Sequence, residues 1–285
     1  MFPAIGLVIV IGSVVGGYLL EGGNLSVIMQ PVEVMIIMGA AFGAFVAGSP
    51  KKILSMSFKQ GLGVFSAKGH SKESFLEMLL LLNDLFRKAR REGLIAIESH
   101  VNRPQESSIF TQYPGFMHDK DAVDFLCDNF KVYISTGMEP DALENLMEID
   151  METQSHETLA PSHAVNKTAD SLPGLGIVAA VLGVVLTMGK INEPPDVLGH
   201  SIGAALVGTF LGVLACYGIV GPIASAMEHT AKDKSIVLNI IKAALLSTVS
   251  GGSPAVALEF ARRAIPNTER PTFEELEDAL RSKKE

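Results

Sequence analysis

Four stretches of this chain are continuously apolar, and the segments between them carry the spacing of amphipathic helices. The apolar runs cover residues 2–20, 34–48, 172–189 and 198–222, the second extendable back to Val32. The last two contain no Asp, Glu, Lys or Arg, and each is long enough to cross a hydrocarbon core of ~30 Å at ~1.5 Å per helical residue. They are separated only by a short polar break, so they predict a transmembrane hairpin. The first run has no basic segment before it and ends Leu20-Glu21-Gly22-Gly23, a poor cleavage site. It therefore predicts a retained helix and not a signal peptide.

Between the second and third runs, residues 74–89 place Phe75, Met78, Leu79, Leu82, Leu85, Phe86 and Ala89 on one helical face. The basic cluster Arg87, Lys88, Arg90 and Arg91 follows, closed by Gly93, which marks a helix C-terminus where cations complement the dipole. Glu98 lies on the next apolar-patterned stretch. Spacing alone favours a solvated face for these charges. Residues 103–115 are rich in turn formers, and 122–134 and 140–151 predict two further helices, the second opening on Pro140. In the tail, residues 235–249 continue the fourth span as a packing helix. Ser253-Pro254 opens another, and Thr272 with Glu275 fits a capping box before the last.

The expectation is an all-α integral membrane protein: spans one and two in 1–50, a helical cytoplasmic domain in 51–171, spans three and four in 172–222, and a cytoplasmic helical tail in 223–285. Residues 1–50 contain no Lys or Arg, whereas Lys51, Lys52 and Lys59 follow span two and Lys232, Lys234 and Lys242 follow span four. This asymmetry places the middle segment and both termini on the cytoplasmic side of a multi-pass membrane protein. Composition agrees, with 48% apolar residues among 285. A net charge of −8, with the acidic stretch 119–152, argues against nucleic acid as a partner. Cys127 and Cys216 fall in water and lipid respectively, so neither a disulfide nor a metal site is expected.

Small residues decide how the spans meet. Gly208 and Gly212 form a small-xxx-small pair, and Gly176, Ala180 and Gly183 give the preceding span a similar stripe. Thr209, counted from Leu198, lies ~16 Å deep. Two readings are open for it: a residue lining a path, or a hydroxyl returned to its own i−4 carbonyl. Two are open for Pro173 and Pro222 as well: hinges, or an ordinary helix start and helix stop. No phosphate loop, catalytic triad or metal-like clustering of the seven histidines is present, so no enzyme and no cofactor are expected. By this reading every titratable group lies outside the four spans or near their ends. Any proton carried at mid-depth would then ride on another protein's carboxylate.

The segments LPGLGIVAAVLGVV and GAALVGTFLGVLACYGIVGP, the loop RPQESSIFTQYP and the tail ERPTFEELE together resemble the MotA family of flagellar-motor stator subunits. The resemblance runs over nearly the whole chain. It implies a ring of about five subunits, surrounded by membrane lipid, around MotB, which supplies the proton-binding aspartate. It also implies torque delivered to the rotor protein FliG. By the same resemblance, Ala180 and Thr209 belong to the ion path, Pro173 and Pro222 to conformational coupling, and Arg90 and Glu98 to the rotor interface. Arg87 and Arg91 flank that edge. Protons are favoured over sodium on this resemblance. An ExbB- or TolQ-like channel energising envelope transport and a non-conducting scaffold are the alternatives.

Overall fold

The computed structural model describes residues 2–66 and 69–283, which form helices and connecting turns with no strand among them. In chain order these are α1 (Phe2–Leu20), the single turn α2 (Leu25–Ile28), α3 (Pro31–Gly48) and α4 (Lys51–Gly63), then α5 (Lys72–Glu92), α6 (Ile95–Asn102), α7 (Pro114–Met117) and α8 (Lys120–Thr136). They continue with α9 (Pro140–Met188), α10 (Pro195–Leu214), a π-helical stretch at Ala215–Val220, α11 (Gly221–Val249), α12 (Pro254–Ala264) and α13 (Phe273–Ser282). Four helical segments are long and apolar enough to cross a membrane: Phe2–Leu20, Leu25–Gly48 and parts of Pro140–Met188 and Pro195–Val249.

The chain divides into two compact units. The span unit, Met1–Ala67 with Glu157–Ala231, contains the four apolar runs, and the peripheral unit comprises Lys68–His156 with Lys232–Glu285. α9 and α11 each run through a boundary between the two. In the peripheral unit, the seven residues expected on one face of α5 are all buried. They pack with Ile97 and Val101 of α6, Val123, Leu126 and Phe130 of α8, Leu143 of α9 and Ile241 and Leu245 of α11. Phe86 and Phe130 meet with ring centroids 6.1 Å apart. The helix ends follow their sequence signals: Gly93 takes φ +87 after α5, Ser253 accepts the Val256 N–H, and Thr272 and Glu275 cap each other's backbone at α13.

Three expectations are corrected. The helix at 140–151 and the third span are one helix of 49 residues, with Pro161 and Pro173 inside it. A proline removes one donor, at Pro161 the one that the Glu157 carbonyl would accept, and can bend a helix without ending it. Here the Ser57 hydroxyl on α4 reaches the Pro161 carbonyl and the Gln60 amide reaches that of Thr158, each at 3.5 Å. The second span starts earlier than its apolar run, because Pro31 opens α3 and takes Glu33 into its first turn. The fourth span does not stop at Pro222. Pro222 has no N–H, and the ladder widens to i→i+5 just before it, where Gly221 donates to Cys216. The helix then continues to Val249.

Candidate functional site

The seam between α9 and α10 is made of backbone. A Cβ placed on Gly212 would stand 2.6 Å from the Leu172 carbonyl, and one on Gly176 would stand 2.8 Å from that of Gly208. Gly183 meets Ala205 in the same way, with 2.7 Å from its notional Cβ to the Ala205 side chain. No other residue fits at these positions without parting the helices, the condition that drives association in lipid. Ala180 and Thr209 belong to this seam. The Ala180 backbone nitrogen lies 3.2 Å from a Cβ built on Gly208, and the Thr209 Cα lies 3.3 Å from one built on Gly176.

Thr209 is half-buried, and its hydroxyl makes no hydrogen bond among the described residues. Other helical threonines behave differently: Thr168, Thr187, Thr230 and Thr248 each donate to the carbonyl four residues back, at 2.8–3.0 Å. The i−4 reading of Thr209 is thereby removed. Its hydroxyl is free to serve a water, an ion or a partner's side chain.

Glu33, which sequence reasoning passed over, lies in the first turn of α3. Only 9% exposed, it points from α3 into the same seam. Its Oε2 would lie 3.0 Å from a Cβ on Gly208 and its Oε1 3.6 Å from one on Gly183. Gly208 adjoins Thr209, so the carboxyl lies close to the depth of that hydroxyl. Oε2 is buried without a hydrogen-bond partner among the described residues. A carboxyl so placed in a membrane span is expensive and marks a functional position by default. A signal was present in the sequence: Pro31 followed by Glu33 is a helix opening, which puts the acid inside the span.

Pro173 is half-buried within α9, and Pro222 is exposed in the second position of α11. Neither starts nor stops a helical path. Near Pro173, whose missing N–H would have reached the Ala169 carbonyl, the Ser171 hydroxyl donates to the Thr168 carbonyl at 2.6 Å. Near Pro222 the π-helical stretch packs on α1, where a Cβ on Gly218 would meet Val10 at 2.9 Å. Pro222 therefore follows a widened turn, whereas Pro173 lies within continuous helix.

The charged candidates lie in the peripheral unit. Arg87 is half-buried and Arg90 and Arg91 are exposed at the C-terminal end of α5, and all three line one cleft. Lys88 is occupied by Glu92 at 2.8 Å, which holds the Glu92 carboxyl below its ordinary range. Glu98 is exposed on α6, carries no ion pair among the described residues, and is not part of that cleft. No group of three or more His, Cys, Asp or Glu able to hold a metal ion occurs among the described residues.

Fold and seam together define a multi-pass helical membrane protein with polar groups set into its interior, a construction suited to passing an ion and not to anchoring. Residues 4–93 match the model of the Motility protein A N-terminal family, and residues 119–236 match that of the MotA/TolQ/ExbB proton channel family. The chain is 37% identical to Motility protein A of Escherichia coli (strain K12) over 284 residues, covering 100% of this chain and 96% of the relative. It belongs to the Motility protein A family. Its fold is shared with a solved structure of C. jejuni MotAB (TM-score 0.79, 21% identity, 95% of this chain and 98% of that one). It is shared also with the flagellar MotAB stator complex from Bacillus subtilis (TM-score 0.74, 22% identity, 94% and 96%).

Proposed function

We propose that this chain is the stator subunit which, with a MotB-type partner, forms a proton channel of the flagellar motor and converts proton flow into torque. The observation that carries this reading is the match to Motility protein A of Escherichia coli (strain K12) over 284 residues, 100% of this chain. The seam suggests how the path is lined. Thr209 offers a free hydroxyl, Ala180 keeps the facing wall small, and Glu33 adds a carboxyl of the chain's own. The remaining titrating group is an aspartate of the partner.

In this mechanism protonation removes a charge from the seam and changes how α9 and α10 pack around it. A cost of a few kcal/mol for a buried charge is enough to bias two packings that differ by a similar amount. Pro173 and Pro222 lie on the two long helices that lead out of the span unit, so they are where such a change would be absorbed. The charged edge of Arg90 and Glu98, with Arg87 and Arg91, then pushes on FliG. The absence of Lys and Arg from residues 1–50 supports cytoplasmic termini and a cytoplasmic peripheral unit. About five copies would ring the partner.

The test is cytoplasmic acidification in cells co-expressing this chain with a partner lacking its plug, repeated with sodium as the only driving ion. Acidification that needs both polypeptides is expected. Flux from this chain alone, or none from the pair, overturns the reading. Thr209→Val and Pro173→Ala should each lower torque while the protein still assembles in the membrane, and normal torque from both would count against the proposed path.

A further inference from the structure

The arginines fall into two groups. Arg103 pairs with Glu106, Arg262 and Arg263 with Glu259, and Arg281 with Glu277, while Arg270 donates to the carbonyls of Ile265 and Arg263. Arg87, Arg90 and Arg91 make no hydrogen bond or ion pair among the described residues, and these three line a single cleft of about 390 Å³ in the peripheral unit. Glu92, the acid nearest in sequence, is already held by Lys88. In a chain of net charge −8, three unpaired guanidinium groups sharing one cleft are a local reversal of sign.

The opposite side of the cleft adds to the same field. It is formed by the start of α12, an eleven-residue helix, at Ser253, Pro254 and Ala255. The Ser253 hydroxyl caps the Val256 N–H, which leaves the Ala255 N–H without an intrahelical partner at the positive end of the dipole. Leu258 and Leu280 supply an apolar wall. That wall is pinned, because α13 is tied to α5 by Lys72 to Glu275 at 3.0 Å and by Lys283 to Asp84 at 2.6 Å. The volume lies within the range of about 300–1,000 Å³ usual for small-ligand sites.

We infer that the cleft bounded by Arg87, Arg90, Arg91 and the start of α12 binds a phosphorylated small molecule of the nucleotide class. Guanidinium forks match phosphoryl oxygens two at a time, and the helix start accepts the remaining negative charge. The base would lie on Leu258 and Leu280. A bound phosphate covers the heads of the arginines placed above at the rotor edge, so occupancy would weaken the grip on the rotor. The inference stands whether or not those arginines touch the rotor.

The experiment is equilibrium binding of ADP to the full chain in lipid nanodiscs, with inorganic pyrophosphate and adenosine as competitors. Saturable ADP binding is expected, displaced by pyrophosphate and not by adenosine. Arg87→Ala and Arg91→Ala should each weaken it about tenfold or more. Arg91→Lys keeps the charge but loses the fork and should fall between. Arg103→Ala, outside the cleft, should bind as the parent does. Absence of saturable binding by both ADP and pyrophosphate, or equal affinity in the Arg91 variants, overturns the inference. So does binding of an acidic peptide with no binding of ADP, which would make the cleft a protein-docking surface. Swimming torque of the same variants reads the rotor assignment separately: normal torque with lost ADP binding removes that assignment and keeps this one.

Discussion

The core of the peripheral unit and the helix seam of the span unit are held by side chains of different size, and the difference follows from their solvents. In the first, the largest fully buried groups are Phe86, Phe110, Phe125 and Phe130 with leucines around them, each removed from water. In the second, the seam of α9 and α10 encloses Ala179, Ala205, Gly208 and Gly212, with Ile37, Leu172 and Met227 among the larger side chains buried in the same unit, while Val181, Leu186 and Leu206 are exposed. Lipid is as apolar as leucine, so hiding large side chains there gains nothing and close backbone contact decides. The sharpest way to break this contrast is Phe86→Ala, expected to cost the peripheral unit about 3–5 kcal/mol. Limited proteolysis of the purified protein should show that unit opening while the helical spans stay protected. Equal protection of both units would mean that its core does not hold it together.

The span unit should respond to the reverse change. Gly212→Val adds bulk 2.6 Å from the Leu172 carbonyl and is expected to cost about 1–3 kcal/mol by overpacking, with loss of torque. Gly203→Val, on the same helix, adds it where nothing lies within 4 Å. Cysteine cross-linking between α9 and α10 measures the outcome: weakened in the first variant and unchanged in the second. If both cross-link like the parent, the seam is not where these helices are held.

Which features could be read from the chain follows the same division. The spans were legible because a charge-free run of sufficient length needs no tertiary information, and the buried face of α5 because its 3.6-residue period is local. Gly93, Ser253 and Thr272 were legible as caps for the same reason. The continuity of α9 was not, because its support at Pro161 comes from Ser57 and Gln60, about a hundred residues earlier. The continuation of the fourth span in residues 235–249 was legible, but the widened turn just before Pro222 was not, since it leaves no mark in the sequence. Glu33 carries no local sign of burial, because what encloses it is Gly183 of α9 and Gly208 of α10, far along the chain. The site's small residues were visible as a pattern. What the pattern could not say was that Thr209 leaves its own backbone alone.

Buried polar groups sharpen the contrast further. Asn129 in the peripheral unit is 4% exposed and donates to the Phe125 carbonyl at 2.7 Å, a satisfied group with a structural task. Glu33 is similarly buried with one oxygen unpartnered. Replacing a satisfied group with an apolar one loses a bond, whereas replacing an unsatisfied one removes a penalty. Asn129→Leu is therefore expected to destabilise by about 1 kcal/mol with ion flux intact, and Glu33→Leu to leave stability equal or about 1 kcal/mol higher while proton flux falls. Thermal unfolding and the acidification assay together decide. A destabilised Glu33→Leu protein with normal flux would make the carboxyl structural.

The smallest effect is expected at the surface of α12, where the charges of Glu259, Arg262 and Arg263 have partners and water screens them. Glu259 on α12 accepts from Arg262 at 2.8 Å and from Arg263 at 2.7 Å, and chiefly the Arg262 bond brings its carboxyl from an ordinary 4.5 down to about 2. A carboxyl lowered in the folded state stabilises it fully above the unfolded value, and that contribution is lost as pH falls from about 4.5 toward 2. Because the pair is partly solvated, Glu259→Gln should cost no more than about 1 kcal/mol near neutrality. It should also flatten the acid limb of the stability curve between those two values and leave the neutral limb parallel to the parent's. Melting temperature measured across that window checks it, and an unchanged acid limb would show that α12 is held by Ala257, Leu258 and Ala261 in the core and not by its ion pairs.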